Sequence, residues 1–302
     1  MTPHGLSTIV PRDLQPELAR TIQSLPAGAQ MAADGEVAAG ALSAADALAL
    51  INTRKYNLLS IDVENYEWKQ EHLLEIGLSI YKPSYQTHAL FPHIVNFHII
   101  LEEGLKYANK RFVPNNRLNN ITGQSIIANK VQAQTIMQKV FDDVDLSKTI
   151  VVGHGFASDM RLFRMWGLEF PQHVKVADTM KLWSSLVPSA KKSSLCYILD
   201  KLGIPYAYLH NAVNDSYYTL VACLMLASPE IRNNLVIKEK EIDDETGEEV
   251  VVHRVRCSPH DQDLELRGPD RKSKRRTQQM YFHAPRESFP VEHVESVLKE
   301  FP

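Results

Sequence analysis

A chain of 302 residues with 44% hydrophobic content is long enough for one sizeable core with extensions, or for two small domains. A formal net charge of −3 gives no global attraction for nucleic acid, so an anionic partner has to be held by a local patch or by metal ions. Three scattered cysteines with no CxxC pairing argue against a disulfide framework or structural zinc, and neither an apolar run of about 18 residues nor a secretory pattern is found, so a cytoplasmic or nuclear protein without a membrane span is expected.

Residues 1 to 54 form an Ala/Pro/Gly-rich lead in which "VAAGALSAADALALINTRKY" predicts one helix with Ser43 as N-cap. From Tyr56 the pattern changes: "YNLLSIDV", "LLEIGLSIYK" and "HIVNFHIIL" read as three strands in close succession, an antiparallel meander. After the turn-rich "VPNNRLNNITGQS", the segment "IIANKVQAQTIMQKVFDDV" has helical spacing, and "KTIVVGH" is a short apolar strand. "ASDMRLFRMWG" is then a helix stopped at Gly167, "HVKVADT" a strand, and "SSLCYILDKLGI" an amphipathic helix opened by serine. "NDSYYTLVACLMLAS" is apolar enough for a mostly buried helix. Strands followed by alternating helix and strand favour an α/β sheet covered on both faces, over residues 55 to 228. Residues 229 to 302 form a charged extension with a hairpin signature around "DETGEE" and a basic run, "RGPDRKSKRR".

The chemistry concentrates in acids at strand and helix ends. Asp62 and Glu64 stand two apart on a strand and share a face, where they repel unless cations neutralise them. A strand-end Asp-x-Glu suits a pair of hard divalent ions for phosphodiester cleavage, and equally suits a strand simply emerging into solvent. Downstream, His154 precedes Asp159 and His210 precedes Asp215, each by five positions; His173 and Asp178 repeat the interval and read as structural. Asp215 is either a charge favoured by the helix N-terminus or a ligand pointing into a cleft.

Taken together, "SIDVE" with "LLEIGLSIY", "VVGHGFASDM", "VADT", "SSLCYILDKLGIPY" and "LHNAVNDSYYT" resemble the DEDDh family of 3'-to-5' exonucleases in the RNase H-like superfamily, over residues 56 to 228. The resemblance implies a mixed five-stranded sheet with helices on both faces, and two Mg²⁺ or Mn²⁺ ions held by Asp62, Glu64, Asp159 and Asp215, with Asp62 bridging. It implies His210 as general base and release of nucleoside 5'-monophosphates from the 3' ends of RNA or single-stranded DNA. The segment "NFHIILEEGLKYANKRFVPNNRLNNITGQS" is similar to a fungal branch associated with mRNA export, which implies mRNA-processing or export partners and an alternative role as a catalytically weak or inactive adaptor. Two departures touch substrate-end recognition: Asn65 and Tyr66 follow the first acids where Thr and Gly are usual, and Gly155 replaces the usual Asn after His154. Asn65, Tyr66, Trp68 and His154 are the expected nucleic-acid contacts, with Tyr66 and Trp68 either stacking on a base or covering the edge of the core.

Other signals read as structural. His88, His93 and His98 recur every five residues, an interval that alternates faces in a strand, so zinc binding is not expected. Ser194 and Cys196 fit a helix N-cap and a core position. The run Arg267 to Arg276 reads as a solvated tail, an import signal or an RNA-backbone contact.

Overall fold

The computed structural model describes residues 40–87, 89, 91–168, 170, 174–187, 193–242, 249–255 and 291–293. The lead before residue 40, His88, His173 and the basic run lie outside the described residues.

After β1 (Gly40–Ala41), helix α1 (Ala44–Asn52) starts where expected, with the Ser43 hydroxyl accepting the Asp46 N–H at 3.1 Å. Strands β2 (Asn57–Tyr66), β3 (Lys69–Tyr81) and β4 (Ile94–Leu101) form the antiparallel meander. The β2–β3 hairpin runs further than the hydrophobic pattern reaches, to a tip at Glu67 and Trp68. Then come β5 (Ser125–Ala128), α2 (Lys130–Val144), β6 (Thr149–Gly153), α3 (Ala157–Trp166) and β7 (Lys175–Asp178). The series continues with α4 (Thr179–Leu186), α5 (Leu195–Leu202), α6 (Ala212–Ala227) and α7 (Pro229–Leu235). A separate hairpin of β8 (Val236–Ile242) and β9 (Glu249–Val255) matches the expected extension, and β10 (Val291–His293) returns to the main sheet.

The main sheet runs β1-β7-β6-β2-β3-β4-β5-β10. The five expected strands are its centre, with β6 joining β2 in parallel and β7 joining β6 in parallel. Three short strands extend it. Residues Ser125 to Ala128 belong to β5, whereas the sequence places Ile126 to Ala128 in a helix. Two adjacent isoleucines satisfy helical spacing as well as strand pairing, and the pairing to β4 wins. The helix starts only after Asn129, which makes a reciprocal capping box with Gln132.

Alternation along β2 sorts the layers. Leu59, Ile61 and Val63 enter a core with α2 and α3, while Leu58 packs into the opposite core with α1, α4, α5 and α6. Ser60, Asp62 and Glu64 share the Leu58 parity, so both acids lie on the α6 side. The sheet therefore carries helices on both faces, as expected of an RNase H-like fold.

Candidate active site

The acids converge because one helix comes unusually close to the sheet. In the β2–β3 register Asp62 pairs with Gly77 and Glu64 with Glu75, so all four face α6. A Cβ on Gly77 would lie 2.0 Å from the Ala212 carbonyl oxygen, so only glycine lets the first turn of α6 rest there. Asn211 caps that helix, accepting the Asn214 N–H at 3.2 Å. Capping is thus assigned to Asn211, and Asp215 is left for the cleft: its Oδ2 accepts the His210 N–H at 3.0 Å, and its Oδ1 is buried without a partner. Asp159 arrives buried on the first turn of α3, beside the backbone N–H of Val63.

Asp178 sets the turn before Asp159. Its carboxylate accepts the N–H groups of Gly155 (3.0 Å), Phe156 (3.1 Å) and Met180 (3.0 Å), a structural role as expected. Gly155 has φ +66°, the left-handed region that glycine adopts freely and Asn tolerates. His154 has Nδ1 2.9 Å from the Thr179 hydroxyl and Nε2 3.0 Å from the Ser193 carbonyl. Both nitrogens are engaged inside the fold, which leaves the ring no polar edge for nucleic acid.

The electrostatics are those of an uncompensated anionic cluster. Burial first, then repulsion from Asp215, Asp159 and Glu64, pushes Asp62 well above the usual carboxylate range. Glu64 rises similarly, through burial and then Asp215, Glu75 and Asp159. Burial lifts Asp159 to about 7 against backbone N–H groups that favour its anion, and lifts Asp215 to about 7 against the His210 N–H. All four donors are hard oxygens, and one is an orphaned buried atom, so the set fits Mg²⁺ or Mn²⁺. Glu64, His210 and Asp215 bring ligand atoms within 4.8 Å of one another.

A pH dependence follows. In the metal-free protein Asp159 and Asp215 hold protons up to about pH 7 that the unfolded chain releases near 3.8, so the folded state binds more protons across that window. Stability then falls as pH rises from about 4 to about 7. Bound cations favour the anionic forms and reverse the trend. Mg²⁺ should therefore raise the thermal midpoint over EDTA more at about pH 7.5 than at about pH 5, as scanning calorimetry would read.

His210 sits half-exposed with φ +65°, its Nδ1 3.9 Å from Glu64 Oε1, and burial lowers its pKa below the ordinary histidine value. That shift favours the neutral ring. The loop that carries it is tied to the segment between β4 and β5: Asn116 Nδ2 donates to Leu209 O at 2.6 Å, and Asn211 Nδ2 donates to the carbonyls of Asn116 and Arg117. Asn214 accepts the Ile121 N–H at 3.0 Å and donates to Asn119 O at 2.9 Å. Beneath this clasp Glu75 is buried with its carboxylate between Arg117 (3.4 Å), His98 (3.1 Å) and the Ala212 N–H (3.3 Å), and His98 Nδ1 lies 2.7 Å from the Ser125 hydroxyl. His98 is thus structural.

None of Glu75, Arg117, Asn116, Asn211 and Asn214 stood out in the sequence; the only trace was the asparagine density of "NNRLNN". Arg117→Ala removes a guanidinium from the buried Glu75 carboxylate and leaves it bonded to His98 and the Ala212 N–H, so a loss of about 3 kcal/mol is expected in denaturant unfolding, at the low end for breaking a buried pair.

The expected nucleic-acid contacts divide. Asn65 Nδ2 reaches Gln70 O at 3.3 Å across the hairpin, and Tyr66 stacks on Tyr107 at 4.8 Å, so Tyr66 covers the segment between β4 and β5. Trp68 is exposed.

A family described as "DNA polymerase III subunit epsilon-like, C-terminal domain" (DEDDh) matches residues 57–226. The chain is 30% identical to the Saccharomyces cerevisiae "Uncharacterized protein YDR514C" over 213 residues, 62% of this chain and 44% of that one. It is 28% identical to the S. cerevisiae "Good for full DBP5 activity protein 2" over 190 residues, 53% of this chain and 33% of that one. The matched regions thus span less than half of these two relatives. Among solved structures, the zinc-bound E. coli ExoI–ssDNA complex aligns at 15% identity and a TM-score of 0.37, covering 60% of this chain and 43% of that one.

Proposed function

Because the chain belongs to the DEDDh exonuclease family, we propose that it is a 3'-to-5' exonuclease acting on RNA or single-stranded nucleic acid and releasing nucleoside 5'-monophosphates. The observation that carries the reading is the meeting of Asp62, Glu64, Asp159 and Asp215 from three elements, with Asp215 Oδ1 buried and unpartnered. These four residues would hold two Mg²⁺ or Mn²⁺ ions. When bound, such ions neutralise phosphate charge, make water a stronger acid and stabilise the leaving oxygen. The protein's part is position and proton transfer: β2 and α6 fix the carboxylates, and neutral His210 accepts the proton of the attacking water. The clasp of Asn116 and Asn214 holds the His210 loop over the acids.

The second reading is an adaptor for RNA processing or mRNA export that retains the nuclease fold. The similarity to a protein named for full DBP5 activity favours it, and the complete set of acids with His210 counts against it.

Purified full chain with 5'-labelled single-stranded RNA or DNA separates the two. The enzyme gives laddered shortening with Mg²⁺ or Mn²⁺, none in EDTA, and a loss of about 100-fold or more in Asp62→Ala and His210→Ala. A wild-type chain that shortens no substrate with either metal refutes the exonuclease reading.

A further inference from the structure

The hairpin that carries Glu64 also builds a surface at its tip. Trp68 is 54% exposed there, and Phe112, from the segment between β4 and β5, is 67% exposed beside it. Their ring centroids lie 5.7 Å apart, and the Arg111 guanidinium carbon stands 5.3 Å from each ring. Two large aromatic side chains bridged by a cation and open to solvent present adjoining π faces to a partner.

The arrangement is built, not incidental. The Glu67 carboxylate accepts the backbone N–H groups of Lys110 (3.3 Å), Arg111 (3.2 Å) and Phe112 (3.0 Å), and the Phe112 bond does most to hold its pKa below the usual range. Buried Asn109 completes the joint, accepting the Glu67 N–H at 2.9 Å and donating to Asn65 O at 2.8 Å. The acid at the tip is therefore spent on backbone donors and the Trp68 side chain, while Lys110 and Arg111 contribute cations. Because the platform is preformed, little ordering entropy remains to be lost on binding.

We propose that Trp68, Arg111 and Phe112 form a stacking platform for single-stranded nucleic acid. Bases stack on the two rings and the guanidinium, and phosphates meet the charges of Lys110 and Arg111. Charge complementarity selects this occupant. So does place: Trp68 lies four residues past Glu64, at most about 13 Å along the strand, so the platform meets nucleotides adjoining the end that enters the acid pocket. The inference extends the exonuclease reading, yet it can be tested apart from it.

The test is fluorescence anisotropy of labelled single-stranded RNA and DNA oligonucleotides with the full chain in EDTA, where cleavage plays no part. Phe112→Leu removes a π face and keeps an apolar side chain; Trp68→Ala removes the other ring; Arg111→Gln removes the cation. Each ring variant is expected to weaken binding about 5- to 150-fold, the equivalent of 1–3 kcal/mol per stacked base. Arg111→Gln should also flatten the dependence of log Kd on log salt. Circular dichroism and thermal midpoints should match wild type, since both rings are exposed. Unchanged oligonucleotide affinity in Phe112→Leu and Trp68→Ala overturns the proposal, including the case where the same patch binds a protein instead. Cleavage by wild type with unchanged binding in the variants removes the platform alone; reduced binding in the variants with no cleavage by wild type removes the enzyme alone.

Discussion

Asp62→Asn is expected to abolish metal-dependent cleavage and at the same time to stabilise the metal-free protein. Asp62 feels burial and the charges of Asp215, Asp159, Glu64 and Glu75 together, so it is the acid on which the cluster's repulsion concentrates. An amide of nearly the same shape removes one of the carboxylates that repel one another there. In EDTA at about pH 7.5 the thermal midpoint should rise by a few degrees, the effect of roughly 1 kcal/mol in a protein of this size. The stabilisation by Mg²⁺ should fall, and exonuclease activity should drop by about 100-fold or more, beyond what the loss of an outer-shell partner costs. Calorimetry and the end-labelled assay read the two halves separately. A variant destabilised in EDTA would show that Asp62 supports the fold and is not held there at a cost for function.

Gly77→Ala carries the second large effect, and its direction is opposite. The added carbon would lie 2.0 Å from the Ala212 carbonyl oxygen and 2.3 Å from the Val213 nitrogen. Both are backbone atoms, so no side-chain rotation relieves the overlap. Helix α6 must lift from β3, or the strand must bend. A cost of about 3 kcal/mol, at the upper end for overpacking, is expected in denaturant unfolding. The same displacement carries Asp215 away from Asp62 and breaks the bond from Ala212 N–H to Glu75. Activity and Mg²⁺ stabilisation should therefore fall together even though no charged group has been touched. Retention of both would mean that the close approach of helix to sheet does not set the site.

These two residues also mark what could be read from the amino-acid sequence. Asp62 was legible because period-two alternation fixes which residues share a strand face, and because Glu64, Asp159, His210 and Asp215 follow in order. Most of the strand–helix series and the capping residues Ser43 and Ser194 were legible because caps and amphipathic patterns act over a few residues, whereas β5, α4 and α7 were not read. Gly77 looked like any glycine in a strand, since its role depends on a helix that begins 135 residues later. The asparagine clasp was hidden for the same reason. Asn116, Asn211 and Asn214 bond to backbone groups about 90 residues away, and such bonds leave no periodic trace. Glu75 read as part of an apolar strand, although its partners Arg117 and His98 make it the anchor of the segment between β4 and β5. Tyr66 and Trp68 were adjacent candidates for one task, and only the fold separates the ring that packs on Tyr107 from the ring left open.

The central claim is that Asp62, Glu64, Asp159 and Asp215 form a two-ion site. Anomalous diffraction from crystals of the full chain soaked with Mn²⁺ and a nucleoside 5'-monophosphate tests it most directly. Anomalous density at two positions among the four carboxylates is expected, the number of ions these acids would hold. No anomalous density among these carboxylates at saturating Mn²⁺ would contradict the claim.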